Sequence, residues 1–546
     1  MRVHLFGRTL LLVVGALSGK PIASPPGDPP PRVARLSYLA GSVSFEPSGD
    51  TTWGQATLNY PVTIGDRVYA DQGARAELQV GNSTFRVSGS TDVTMTNLTD
   101  ALVQLGLADG TLRATVYDLA PGDSIEIDTP NGAISFLAPG QYRVDVDADD
   151  STTLVSVDSG SVSVTAGGPV QTVGTGSAVE LSATNPGGVG AAMPPRDSFD
   201  QWSVERDERQ ANASGQQYVS NDLPGASDLD AAGHWEDSPD GPVWYPVVAV
   251  GWVPYRLGHW AWIDPWGWTW VEDEWWGFAP FHYGRWALFG AAWGWLPGPV
   301  VRRPCYAPAL VVFVDGSHFA AAATSGRTAV QAWFPLGPRE PYYPWYHSSD
   351  EYLRQVNATN IRNAPEVTRH GADPQSMHWV NEPATTAVAT GAFRSGQDIV
   401  PHLMRVIPAD LAAVHIVPHP SVAPVADAAL GGRPRQAAPV MIPVHGVGRT
   451  AGQRPAQPSS PRPLPPPQAS VTGRRPLVTQ RLAPAPNPPF EARAQAMQGH
   501  PGRPLEPQQM ENVRAGRPPG PMRDPEVPAH PAPQPRPAPA RQEKKH

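Results

Sequence analysis

The chain runs to 546 residues with a formal net charge of −9, and carries 66 Pro, 52 Gly, 18 Trp and a single Cys. That length suggests several domains, while Pro and Gly at this level signal extended stretches, so the composition argues against one compact enzyme. One cysteine, Cys305, excludes an intramolecular disulfide and a four-cysteine zinc site, leaving burial to hold whatever core exists.

Residues 1–24 read as a secretory signal peptide. Arg2 and Arg8 flank the start of an apolar run, Thr9 to Leu17, that is too short to span a bilayer. Small residues at Ala16, Ser18, Ala23 and Ser24 offer cleavage sites, and the proline-rich stretch from Lys20 to Pro31 cannot continue a helix. No cysteine follows the run, and no later stretch is apolar enough for a membrane helix. The mature chain is therefore expected in the periplasm or outside the cell, without a transmembrane segment.

Residues 33–182 read as short strands with apolar side chains at every second position, as in 42–45, 76–80, 84–87, 124–127, 142–146 and 161–164. Turn residues separate them at Gly41, Gly65-Asp66, Gly81-Asn82, Asp109-Gly110, Pro121-Gly122-Asp123, Asn131-Gly132 and Ser159-Gly160. This pattern predicts an all-β sandwich or roll. Its blocks Gly65-Asp66-Arg67-Val68, Gly73-Ala74-Arg75-Ala76-Glu77-Leu78, Asp109-Gly110-Thr111-Leu112-Arg113, Ile127-Asp128-Thr129-Pro130-Asn131-Gly132 and Val155-Ser156-Val157-Asp158-Ser159-Gly160 resemble the FecR-type periplasmic domain. In that family the domain relays a signal to a sigma factor through a membrane helix and a cytoplasmic helical segment. Neither part is recognisable in this sequence, so the resemblance implies a β domain used for binding or scaffolding in the cell envelope.

Residues 183–232 form a Gly/Pro linker followed by one short polar helix near 197–210, which carries Phe199, Trp202 and Val204. Residues 233–365 follow as a Trp-rich repeat. Thirteen of the 18 tryptophans lie between Trp235 and Trp295, and 251–260 aligns with 277–286 at an offset of 26 residues. Gly233-His234-Trp235 extends the pattern upstream, and Gly294-Trp295-Leu296-Pro297-Gly298 extends it downstream. Aromatics at spacing two in Trp266-Gly267-Trp268-Thr269-Trp270 and Trp293-Gly294-Trp295 predict strands. Units this short cannot bury their own aromatics, so two or three hairpins must stack into one module. The segments Gly258-His259-Trp260-Ala261-Trp262, Asp264-Pro265-Trp266-Gly267-Trp268-Thr269-Trp270 and 276–286 resemble a Trp-rich domain of unknown function found in exported bacterial proteins, often behind a FecR-like domain. No activity comes with that resemblance.

Residues 366–432 read as mostly irregular. Residues 433–546 contain 28 Pro and neither Trp nor Tyr, and their net charge of +11 leaves −20 for the rest. Such a segment buries too little apolar surface to offset its ordering entropy, which predicts a disordered Pro/Arg-rich tail. Its arginines suit an anionic wall polymer, lipid headgroups or the chain's own acidic part; the competing reading is a solubilising linker.

The candidate chemistry lies in the repeat. Sugar rings present flat C–H faces to aromatic platforms, so Trp262, Trp268, Trp270 and Trp275 beside Asp264 or Glu272 are candidate ligand contacts; the competing reading places these indoles in the module's core. His259 and His282 align with Arg285 and Arg256 in the repeat, which suggests interchangeable hydrogen-bond donors on its surface. Hydrolysis by Asp264, Glu272, Asp273 and Glu274 would require two carboxylates facing across a cleft, and adjacent acids on one turn diverge. His234, His259 and His282 lack zinc-ligand spacing. No phosphate loop, dinucleotide fingerprint or nucleophile elbow is found, and Cys305 reads as an incidental buried thiol. No cofactor is expected. An acidic exported body disfavours nucleic acid.

The expectation is an all-β, exported, non-enzymatic envelope protein that binds cell-wall or surface polysaccharide through exposed aromatics. The alternatives are a signalling component that partners an envelope receptor through strand addition, and a carbohydrate-active enzyme.

Overall fold

The computed structural model describes residues 27–522, apart from 150, 317–318, 320–328, 361–374, 376, 412–414, 437 and 440–475. The expected signal peptide and most of the tail fall outside these residues.

Strands dominate, as the period-two pattern requires. The six alternating segments fall on strands at Val43–Glu46, Arg75–Val80, Ser83–Val87, Ser124–Asp128, Gly140–Asp147 and Ser161–Thr165. They belong to curled, largely antiparallel sheets joined by one long strand, Leu102–Val116. The first half of that strand pairs in parallel with Ser124–Asp128, and its second half pairs antiparallel with Ser83–Val87 and Gly140–Asp147. The turn expected at Asp109-Gly110 is therefore a bend inside a strand. Gly110 sits there at φ +92°, and the pairing with Thr91–Leu98 slips beside it.

The linker supplies the expected helix, Ser198–Ala211. Asp197 caps it and Asp200 reaches back, a reciprocal arrangement that satisfies its first N–H groups. Its Phe199 is buried, and Trp202 lies 5.1 Å from Tyr38, so the helix packs on the β-rich half.

The Trp-rich region forms three hairpins: Gly233–Ser238 with Gly241–Pro246, Gly258–Ile263 with Gly267–Glu272, and Arg285–Phe289 with Ala292–Leu296. The first and third join edge to edge at Trp244 and Trp295. Each hairpin opens at a Gly-His-Trp or Gly-Arg-Trp triplet, on the Gly in the first two and just after it in the third. A Cβ at Gly233, Gly258 or Gly284 would collide with a carbonyl of the partner strand, at Tyr245, Val271 and Leu296 respectively. The repeated glycine is thus a close-approach position.

A five-stranded sheet covers the middle hairpin. Its order is Leu403–Met404, Thr386–Ala389, Val330–Pro335, Val311–Val314 and Ile416–Val417. Three of these strands lie in the segment read as irregular, where two to four residues leave no periodicity to detect. Part of the tail is also ordered: Phe490–Gly499 and Pro507–Arg514 are helices, with Phe490, Met497 and Leu505 buried on the body. These few apolar side chains find a surface prepared elsewhere in the chain, which composition alone does not register. Among the described residues the main apolar core runs from Val33 to Leu505, with a small second cluster at Val243, Ala287 and Leu296.

Candidate functional site

Of the aromatic platform expected at the surface, one member is displayed. Trp275 is 44% exposed, whereas Trp262, Trp268 and Trp270 are at most 2% exposed; every other tryptophan is buried or half-buried. Cross-strand pairing sets Trp260 against Trp270 and Trp262 against Trp268, edge to face at 5.5 and 5.4 Å. The five-stranded sheet closes over them: the ring of Trp260 lies 5.3 Å from both Phe313 and Trp333, and that of Trp268 lies 4.5 Å from Phe393. Trp268 donates to Val422 O at 3.0 Å, and Trp270 to Glu272 Oε2 at 2.9 Å. The core reading holds for these three.

The remaining candidates are also internal. Glu272 is 1% exposed, and burial pushes its carboxyl well above the usual range. Asp264 is ion-paired with Arg493 of the tail helix. Both side chains are at most 10% exposed. His282 is buried with Nδ1 at 2.8 Å from Ala307 O, and burial pulls its pKa down to about 3. Its repeat counterpart Arg256 reaches Thr386 Oγ1 at 3.3 Å. Arg285 is buried and donates to Glu340 O and to Gly284 O, with burial lowering its pKa to about 10. His282 and Arg285 hold carbonyls inside the fold and the half-buried Arg256 holds a hydroxyl, so the expected place of the two buried donors on the surface is corrected. His259 is fully buried. His234 is exposed beside Glu236, far from the repeat's other histidines in environment. Burial raises the Cys305 thiol to about 12, which makes it a poor nucleophile.

Trp275 lies on a groove of about 290 Å³ between the β-rich half, the linker helix and the start of the Trp-rich region. Arg206, Arg209 and Asn212 come from the helix and its C-terminal end, Glu77 from the Arg75–Val80 strand, and Asp228 and Asp230 from the turns before the first hairpin. Arg35 fixes the junction. Its fully buried guanidinium donates to Asn59 Oδ1 at 2.9 Å, Asp228 Oδ2 at 2.5 Å and Trp275 O at 2.6 Å. Asn59 in turn donates to Glu272 O and Glu274 O. The Trp275 backbone is thereby clamped while the residue stays 44% exposed.

The floor is electrostatically settled. Burial works to raise the Glu77 carboxyl, but Arg206 and Arg86 override it and hold the pKa down to about 2. Arg206 is spent on that pair and lies 4.7 Å from the Tyr38 ring centroid. Arg209 and Asn212 are exposed on the rim, and Asp230 accepts Gly215 N at 2.9 Å. A rigid indole face beside exposed donors and a carboxylate suits a polar, ring-shaped, largely uncharged ligand. Sequence reading found Trp275 but not its companions, because 183–232 looks like a connector; the polar stretch Arg206–Asn212 that closes a capped helix was the available signal.

The molecule is thus a mostly-β protein with a mixed aromatic and polar groove at the junction of its two halves. Residues 226–340, which include Trp275, match a family of unknown function, DUF6600. Two solved structures of a proposed anti-sigma factor from Parabacteroides distasonis ATCC 8503 are similar to the chain at 15% and 12% identity. The first similarity covers 23% of this chain and 59% of that protein with a TM-score of 0.21, and the second covers 33% and 99% with a TM-score of 0.22. No curated protein matches the chain. Among the described residues, no helix is long and apolar enough to cross a membrane.

Proposed function

We propose that this is an exported, non-catalytic binding protein of the cell envelope, in which a FecR-like β domain and the Trp-rich region together hold a saccharide in the groove beside Trp275. The observation that carries this reading is the exposure of Trp275 alone among the tryptophans, over a groove rimmed by Arg209, Asn212 and Asp230. Stacking of a sugar's C–H face on the indole supplies affinity, and the rim groups select among hydroxyl patterns. A volume of about 290 Å³ sits at the small end of ligand sites, which run from about 300 to 1,000 Å³, so the groove takes a short saccharide unit and not an extended chain.

The test is co-sedimentation of the purified protein with peptidoglycan sacculi and other surface polysaccharides, read together with tryptophan fluorescence. Trp275→Ala is expected to abolish binding and the fluorescence change while leaving the melting temperature unaltered, since the ring is half in solvent. Retention of full binding by Trp275→Ala, or no binding by the wild type to any surface glycan, would sink the proposal.

A further inference from the structure

We infer that His259, Asp273 and Asp398 form a binding site for a first-row divalent cation of the Zn²⁺ type. The His259 imidazole is fully buried, and neither ring nitrogen has a hydrogen-bond partner. An imidazole buried in that state is costly unless another group takes its lone pair. Its Nδ1 faces two carboxylates, with Asp273 Oδ1 and Asp398 Oδ1 each 3.8 Å away. One ligand atom from each of the three residues lies within 4.8 Å of the others. The two imidazole–carboxylate separations are too long for hydrogen bonds and only slightly long for shared coordination. Bonds of the usual Zn–N and Zn–O lengths in a tetrahedral site place ligand atoms about 3.4 Å apart, so a contraction of roughly 0.4 Å brings the imidazole to each carboxylate, and one of at most about 1.4 Å brings the two carboxylate oxygens together.

The three residues are delivered by backbone constraints. His259 and Asp273 flank the open end of the middle hairpin, where Asp273 N donates to Leu257 O at 3.2 Å. Asp398 arrives on a loop pinned to that hairpin by Ile399 N donating to Gly258 O at 2.8 Å. Nε2 of His259 abuts Gly431, where a Cβ would collide with it, so Nδ1 is the atom left for coordination. Asp273 and Asp398 are 34% and 49% exposed, which gives them room to adjust and gives an ion a way in. The competing cation is Arg433, whose Nη2 lies 3.6 Å from the same Asp398 oxygen. Of the two carboxylates, it reaches only Asp398 at that range and leaves the imidazole unpaired. A nitrogen ligand selects Zn²⁺ and its neighbours over Mg²⁺ or Ca²⁺, which prefer all-oxygen shells. Two carboxylates and one imidazole leave a fourth position for water.

The full chain, stripped with a chelator, would be titrated with Zn²⁺ by calorimetry, and with Co²⁺ by visible absorption to report the ligand field. One saturable equivalent is expected, with a rise in melting temperature. Asp273→Asn and Asp398→Asn, both at exposed positions that tolerate the change, should each weaken binding at least about tenfold, since even outer-shell partners carry that much. Arg433→Gln should tighten it by removing the rival charge. Equal affinity in wild type and both Asn variants would mean that the ion sits on other histidines, and no saturable binding would mean a bare ion-pair cluster; either result overturns the site.

Discussion

At the scale of single residues, the Trp-rich region is organised by where indole and hydroxyl groups park their hydrogens. Tyr255 illustrates it: its hydroxyl donates to Phe281 O at 2.7 Å and accepts from Leu310 N at 3.1 Å, while its own carbonyl receives Trp333 Nε1 at 3.0 Å. Tyr255→Phe strands two buried backbone groups at once. Each such loss costs about 1–3 kcal/mol, so urea denaturation should show a destabilisation within or above that range with no cavity to blame. Burial at this scale was only partly legible beforehand. Spacing placed Trp268 and Trp270 on one strand face, but it could not tell whether that face met solvent or the five-stranded sheet, whose covering strands come from residues 311–417. The His/Arg interchange in the repeat was visible as well. Its meaning was not, because a donor aimed at a buried carbonyl and one aimed at a ligand have the same sequence signature.

Among elements, the strands of the β-rich half were legible because one buried face imposes strict alternation, and Leu102–Val116 was not, because Asp109-Gly110 is turn chemistry used as a bend. One element carries a pH dependence. On Ser124–Asp128, the carboxyls of Glu126 and Asp128 share Gln104 Nε2, and the returning segment at 478–481 covers them: Thr129 bridges to Val478, and Gln480 N donates to Glu126 Oε1 at 3.1 Å. Burial first, and then the neighbouring Glu126, raise Asp128 above its ordinary range. A carboxyl with a raised native pKa contributes stability that is complete below its unfolded value of about 4 and drains away as pH climbs through the native value. The melting temperature should therefore fall as pH is taken from mildly acidic to alkaline. Asp128→Asn should flatten that slope and melt above the wild type at the alkaline end; a steeper slope in the variant would refute the assignment.

For the whole molecule, the charge split of −20 and +11 anticipated contact between the basic tail and the acidic body, and Arg433, Arg435 and Arg493 of the described tail each pair with a carboxylate of the body. Arg493 is 3% exposed, ion-paired to Asp264 and 5.7 Å from the Phe490 ring centroid. Removing one partner of such a buried pair costs about 3–5 kcal/mol, so Arg493→Ala should release the tail helices, seen as faster proteolysis within residues 476–522 and a lower unfolding midpoint. An Asp264→Asn and Arg493→Met double variant should recover much of the loss, because no lone charge remains. Composition could not reveal this docking: 28 prolines dominate any average, while three buried apolar side chains and one ion pair decide the outcome.

The Arg35 clamp also sets an order of assembly. Its partners Asp228 and Trp275 lie 193 and 240 residues further along the chain. A chain that emerges from its amino end completes the first sheet with this guanidinium held by Asn59 and Gln79 alone, its remaining donors waiting for segments not yet made. The groove comes into being only when the middle hairpin arrives and swings Trp275 into register. The groove is therefore the product of contacts that span the chain, and a truncated form holding only the first sheet lacks two of the groups that fix the Arg35 guanidinium.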